Sequence, residues 1–196
     1  MCPGHGVTSC LCRVVGGEYA DDSVRDGMLV PGGSISNVYA LHLARIRADP
    51  DYKRRGAAGG PVLVAFCSKH AHYSYRKAAQ LVGLGLDNMV GVECGEDGAM
   101  DPAALDAAVA RAVAEGRHPF FVGATAGTTV FSAYDPLGPL AKACERHGMW
   151  LHVDGCWGAA ALLSRRHRGI LAGECAGYFQ LWAPGHRPIR FLLPLL

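Results

Sequence analysis

The stretch MWLHVDGCWG, Met149–Gly158, decides how the rest of the chain is read. It is a short apolar run whose alternation ends at an acid, Asp154, followed by Gly155 and Gly158. That is the pattern of a buried strand delivering one carboxylate to its C-terminal edge. Open α/β sheets keep their chemistry at that edge. A carboxylate among apolar neighbours needs a cationic or hydrogen-bonding partner, because burying it alone is costly. The rest of the chain must therefore supply or bind that partner.

The bounds around this motif are those of a globular chain. Its 196 residues, half of them hydrophobic, suffice for one sizeable core and one domain. The net charge of +2, from 19 basic and 17 acidic residues, is too balanced to argue for nucleic acid or an anionic membrane surface as a partner. Eight cysteines are scattered without a CxxC pair, and Cys67, Cys144 and Cys156 sit in apolar segments. Reduced intracellular thiols fit this better than a disulfide framework. The opening MCPGHGVTSCLC lacks a basic start and a continuous apolar run, and no segment is apolar over the length of a membrane span, so the expected location is the cytoplasm.

Along the chain, residues 1–25 carry no clear periodicity. In DGMLVPGGSISNVYALHLARIRADP a Pro and two glycines precede Ser34, Ser36 and Asn37, after which Val38, Leu41, His42 and Ile46 recur at helical spacing. Such a Gly-rich helix start, flanked by small hydroxyls, can seat a phosphate on backbone N–H groups at the positive end of the dipole. It reads equally as an ordinary capped helix, since Ser and Asn are preferred caps. Pro61 to Ser68 is a buried strand leading into a turn with His70 and His72, then a helix from about Ser74 to Val82 closed by Gly83 and Gly85. The two histidines suggest metal ligands, but no further Cys or His stands at ligand spacing, and a zinc site needs three or four; a solvated loop pair is the plainer reading. A short strand at Met89 to Glu93 follows. Asp101 and Pro102 then cap and start a helix to about Glu115 with Gly116 as its stop. His118 to Val130 is a buried strand ending in a turn with Thr125, Thr128 and Thr129, and a helix from about Pro136 to Arg146 returns to the opening motif. Alternating strands and helices define an α/β class with a mostly parallel sheet flanked by helices. The turns after three strands gather at one edge, which makes Ser34, Ser36, His72, Thr129 and Asp154 the candidate site. Neither GxGxxG nor GxxxxGK followed by Ser or Thr is present, so a plain nucleotide module fits less well.

The segments DGMLVPGGSISNVYA, HYSYRKAAQLVGLG, ATAGTTVFSAYDPL, CERHGMWLHVDGCWG and LLSRRHR, in this order and spacing, resemble the pyridoxal-phosphate-dependent group II decarboxylases. The likeness runs over about Asp26 to Gly173. It is to the glutamate decarboxylase branch, and within it more to cysteine sulfinate and acidic amino acid decarboxylases. It implies part of the large domain of a fold-type I, aspartate aminotransferase-like enzyme at 26–173. Residues 1–25 would be a poorly defined lead-in and 174–196 a tail outside the family pattern. It also implies pyridoxal 5′-phosphate as cofactor, a small acidic amino acid as substrate, and a homodimer. Asp154 would pair with the protonated pyridine nitrogen and His72 would stack on the ring. Ser34, Ile35 and Ser36 would hold the phosphate, and Thr129 and Cys156 would lie against the cofactor.

One feature departs from the family pattern. The family holds its cofactor as a Schiff base on a lysine that follows the HVD strand. Here the lysines are Lys53, Lys69, Lys77 and Lys142, all before Asp154 and none in the matching context. The residues from about Glu174 onward read as a foreign ending. The expectation is a chain with little or no turnover alone, or a non-catalytic fragment that docks on a full-length subunit.

Overall fold

The structure, a computed structural model, describes residues 27–167, 169–171 and 191–194. The lead-in at 1–25, and the tail from 174 apart from residues 191–194, therefore lie outside the described residues. Among the described residues the strands and α-helices follow in this order: β1 (Gly27–Val30), α1 (Gly33–Ala48), α2 (Tyr52–Arg55), β2 (Leu63–Ser68), α3 (Ser74–Leu81), β3 (Met89–Val92), α4 (Pro102–Ala114), β4 (His118–Thr125), α5 (Leu137–His147), β5 (Trp150–Asp154) and β6 (Phe191–Pro194).

Local chemistry accounts for most boundaries. Asp101 caps α4 by accepting from the Ala103 N–H at 2.9 Å, with Pro102 at the first helical position; such a cap contributes about 1 kcal/mol. Gly148, at φ 64, ends α5 in the left-handed conformation that glycine adopts without a Cβ penalty. Short helix α2 lies inside the polar 49–60 connection, held by an Arg55–Asp49 ion pair at 2.5 Å. Strand β1, which has no periodic signature, pairs in parallel with β6 in a separate two-stranded sheet.

The main sheet is wholly parallel in the order β3-β2-β4-β5. Side chains alternate across it, as a pleated strand requires. Leu63, Ala65 and Cys67 face one way and pack with Leu41, Ala44, Tyr75 and Ala78 of α1 and α3. Val64 and Phe66 face the other way and pack with Leu105, Val109, Leu140 and Cys144 of α4 and α5. Two apolar cores thus enclose the sheet in three layers. Both faces being covered explains why β2 is buried throughout and apolar up to its last residue, Ser68, rather than alternating with polar residues. Among the described residues no helix is long and apolar enough to cross a membrane.

The strand order places the chemistry. From β2 the chain moves outward to β3, and from β4 it moves the opposite way to β5. The carboxyl ends of β2 and β4 therefore flank the switch point, where loops diverge and leave a crevice.

Candidate functional site

A cleft of about 190 Å³ opens at that point, lined by Gly33, Ser34, His72, Thr125, Gly127, Thr129, Asp154, Cys156 and Trp157. Four stretches converge: the start of α1, the turn after β2, the turn after β4, and the end of β5. Of the residues singled out in the sequence, Ser34, His72, Thr129, Asp154 and Cys156 line it. Ile35 and Ser36 are not among its lining residues; Ser36 is buried in α1.

The start of α1 has an open positive end. Its N-cap is Gly32, at φ 90, with no side-chain cap, and its first turn carries no acidic residue. Ser34, Ser36 and Asn37 are inside the helix, so the capped-helix reading does not hold here. The first N–H groups of a helix have no intrahelical acceptor, and no acidic side chain in this first turn offsets the dipole. Gly33 is glycine for a close approach: a Cβ there would run into the Cys156 sulfur.

Asp154 ends β5, buried, with its carboxylate at the cleft. Its Oδ2 accepts from Asn37 Nδ2 at 2.8 Å and its Oδ1 from the Cys156 N–H at 3.1 Å. Burial by itself pushes the acid upward. The Asn37 amide, the Cys156 thiol and N–H, and any positive charge on His152 outweigh it and hold Asp154 below the ordinary carboxylate range. Partial burial, followed by the adjacent Asp154 charge, pushes the Cys156 thiol up to about 12, so it stays protonated and donates to that carboxylate. Cys156 is exposed in the turn after β5, unlike the buried Cys67 and Cys144 with which the sequence grouped it.

Asn37 is the residue that sequence reasoning passed over. Completely buried, it donates to Asp154 and to Ser74 Oγ, each at 2.8 Å, and its Oδ1 lies 2.8 Å from His152 Nε2. An ionised Asp154 accepts only, so the Asn37 nitrogen must face it and the oxygen must face His152. His152 then carries its proton on Nε2. Burial lowers its pKa to about 4 against the pull of Asp154, so the ring is neutral at pH 7. Two signals pointed this way: a buried polar amide mid-helix is unfavourable without a partner, and His152 lies two residues before Asp154 on the same strand face.

The remaining walls are built from turns. His72 is half-buried; its Nδ1 accepts the Ser74 N–H at 3.3 Å, and its ring lies 4.1 Å from that of Tyr73. Thr125 is in register with Asp154, and its buried hydroxyl has no partner. Behind it, Asp135 accepts the Thr125 and Met100 N–H groups, each at 2.7 Å, and fixes the end of β4. Gly127, at φ 85, lets the chain reverse against Gly158. None of the four lysines is among the lining residues.

A doubly wound α/β domain with an uncompensated helix start on one side of a switch-point cleft and a buried, ionised acid on the other is built for a small ligand. An anionic group at one end and a cationic or hydrogen-bond-donating group at the other would complement these two features. The chain belongs to the pyridoxal-dependent decarboxylases, whose conserved domain matches residues 13–177, an earlier start than the motifs alone suggest. It is 49% identical over 159 residues to rat cysteine sulfinic acid decarboxylase, a match covering 81% of this chain and 32% of that one. It is 48% identical to human acidic amino acid decarboxylase over the same length, covering 30% of that protein. The structure of mouse CSAD in apo form superposes with a TM-score of 0.81 at 46% identity, covering 87% of this chain and 35% of that one. The chain thus spans about a third of the length of these relatives. The fold is that of the fold-type I enzymes, and the cofactor that goes with the family is pyridoxal phosphate.

Proposed function

We propose that the cleft is the pyridoxal phosphate site of a decarboxylase acting on a small acidic amino acid, cysteine sulfinate, aspartate or glutamate. The 196 residues here would bind cofactor without turning over substrate. The observation that carries the reading is the pairing of Asp154 with the open start of α1 across one cleft. The unpartnered Thr125 hydroxyl beside Asp154 adds that the cleft suits a polar ligand.

Each residue has a task that its chemistry allows. The N–H groups at Gly33 and Ser34, with Ile35 and Ser36 just behind them, take the phosphate against the helix dipole. Asp154, kept ionised by Asn37 and Cys156, holds a proton on the pyridine nitrogen. His72, oriented by the Ser74 N–H, covers a ring face, and Thr129 and Cys156 close the sides. The bound ring supplies an electron sink for the pair left when an α-carboxylate departs as carbon dioxide. No lysine reaches the cleft among the described residues, so the covalent attachment that the family uses is not provided by these residues.

The relatives' names support an acidic substrate; with cysteine sulfinate as that substrate, the reaction would belong to taurine formation. A cytoplasmic homodimer is the assembly that goes with this reading. Exposed Tyr73, Val130, Phe131 and Trp157, each in or next to a cleft-lining turn, favour a second role in which the chain docks on a full-length subunit.

Calorimetry of the purified chain with pyridoxal phosphate tests the site, and carbon dioxide release from the three amino acids tests turnover. Binding that Asp154→Ala abolishes, with no carbon dioxide, is expected. Clear release would overturn the inactivity, and failure to bind would overturn the site.

A further inference from the structure

Asn37 is the only side chain described above that joins three elements around the cleft floor. It stands on α1, one turn beyond the open helix start. From there it reaches Ser74 at the first residue of α3 and both Asp154 and His152 of β5. An amide offers two donors and one carbonyl oxygen. Here both N–H groups and the oxygen are engaged, each at 2.8 Å, in a place with almost no access to water.

This arrangement is directional. Turning the amide over would set its oxygen against the Asp154 carboxylate and its nitrogen against the Nε2–H of His152. The contact with the acid would be repulsive in either tautomer of His152, so the ionised acid locks the amide, and the amide in turn selects the Nε2–H tautomer. Ser74 extends the lock to the other wall of the cleft, because its own N–H orients the His72 ring. The helix that presents its N–H groups to an anion therefore also holds the acid on the far side.

We propose that Asn37 is the positioning residue of this site, fixing the Asp154 carboxylate in its working orientation and coupling it to the α1 start, to Ser74 and to His152. Its consequence for a bound ring rests on the pyridoxal phosphate reading above; the positioning itself does not. The titratable groups that face Asp154 are His152 on its own strand, Cys156 in the following turn, Tyr75 from α3 and His72 across the cleft. Strand β4 contributes the neutral Thr125 and α1 the neutral Asn37.

The test is a carbon-13 carboxyl titration of Asp154 in the ligand-free chain and in Asn37→Leu, which keeps the branched side-chain shape and removes the amide. The Asp154 midpoint is expected to rise by about one pH unit, a tenfold gain in proton affinity, on loss of that donor; an unchanged midpoint overturns the proposal. If Asn37→Leu does not fold, the unaltered chain decides. The Asn37 side-chain amide protons must shift with the midpoint of Asp154, and amide resonances indifferent to it overturn the proposal. Binding supplies the second arm. Asn37→Leu should weaken pyridoxal phosphate about tenfold while leaving inorganic phosphate at the α1 start unaffected, and an equal loss of both would reduce Asn37 to a structural residue. If pyridoxal phosphate fails to bind the unaltered chain while the Asp154 midpoint moves as expected, the cofactor reading falls and the role of Asn37 stands.

Discussion

Thr125 and Asp154 end adjacent parallel strands in register, yet Asp154 is hydrogen-bonded through both oxygens while the Thr125 hydroxyl, buried beside it, has no partner. A site that satisfies its acid and leaves the neighbouring hydroxyl open keeps a polar valence for something else. In the ligand-free chain that valence costs stability. Thr125→Val, which keeps the shape, should raise the unfolding free energy by about 1 kcal/mol. Urea titration of the two chains checks this, and a loss of stability would mean that the hydroxyl is already satisfied in solution.

His152 makes the fold acid-sensitive. Its pKa falls from 6.5 to about 4 on burial, so the unfolded chain binds the proton first. The stabilising contribution is complete above pH 6.5 and is lost as pH falls toward 4, by roughly 3 kcal/mol in all. His152→Gln keeps an N–H within reach of Asn37 Oδ1 but cannot titrate. Between pH 7 and pH 5 the parent chain should lose about 2 kcal/mol and the variant much less. Equal losses would show that His152 is already charged in the folded chain.

Asp135 behaves in the opposite sense. Burial raises its pKa despite two backbone N–H donors, so its contribution is complete below the unfolded value of 3.8 and is lost as pH rises through the folded one. Asp135→Asn turns an amide nitrogen toward the Met100 or Thr125 N–H and should cost about 1–3 kcal/mol. The parent's advantage should be largest in acid and shrink toward neutrality. Chemical denaturation at several pH values reads the trend, and an advantage that grows with pH would mean that the two N–H bonds outweigh burial.

Gly123 lies in β4 under the ring of Tyr75, and a Cβ there would sit 2.5 Å from Tyr75 Cε1 and Cζ. Both residues are buried in the sheet–helix layer formed by α1 and α3, so neither can retreat into solvent. Gly123→Ala should destabilise the chain by about 1–3 kcal/mol through overpacking. A melting temperature equal to that of the parent would show that α3 gives way without cost.

Much of this fold could be read in advance because its signals are local. The Asp101–Pro102 start of α4, the glycine stops after α3, α4 and α5, and the apolar runs of β2 and β4 each depend on a few neighbouring residues. The α1 start was half legible: its glycines were visible, but the choice between a capped helix and an anion seat turned on whether a Ser or Asn side chain or Gly32 is the N-cap, a shift of a few residues that only backbone geometry settles. The resemblance implies a phosphate held at Ser34, Ile35 and Ser36; a helix sends consecutive side chains in different directions, and of the three only Ser34 lines the cleft. Strand β1 escaped notice because four residues cannot display a period, and its partner β6 is far away in the sequence.

By itself the sequence determined that Asp154 closes a buried strand, that glycine-rich and histidine-rich turns follow the other strands, and that four lysines stand before the motif and none after it. Those properties belong to composition, periodicity and residue order. Tertiary structure alone decided that Asn37 grips Asp154 across 117 residues of chain, that Thr125 stands open beside it, and that His152 is neutral. Each of these depends on sheet order, strand register and exclusion of water, which arise only when segments distant in sequence pack together.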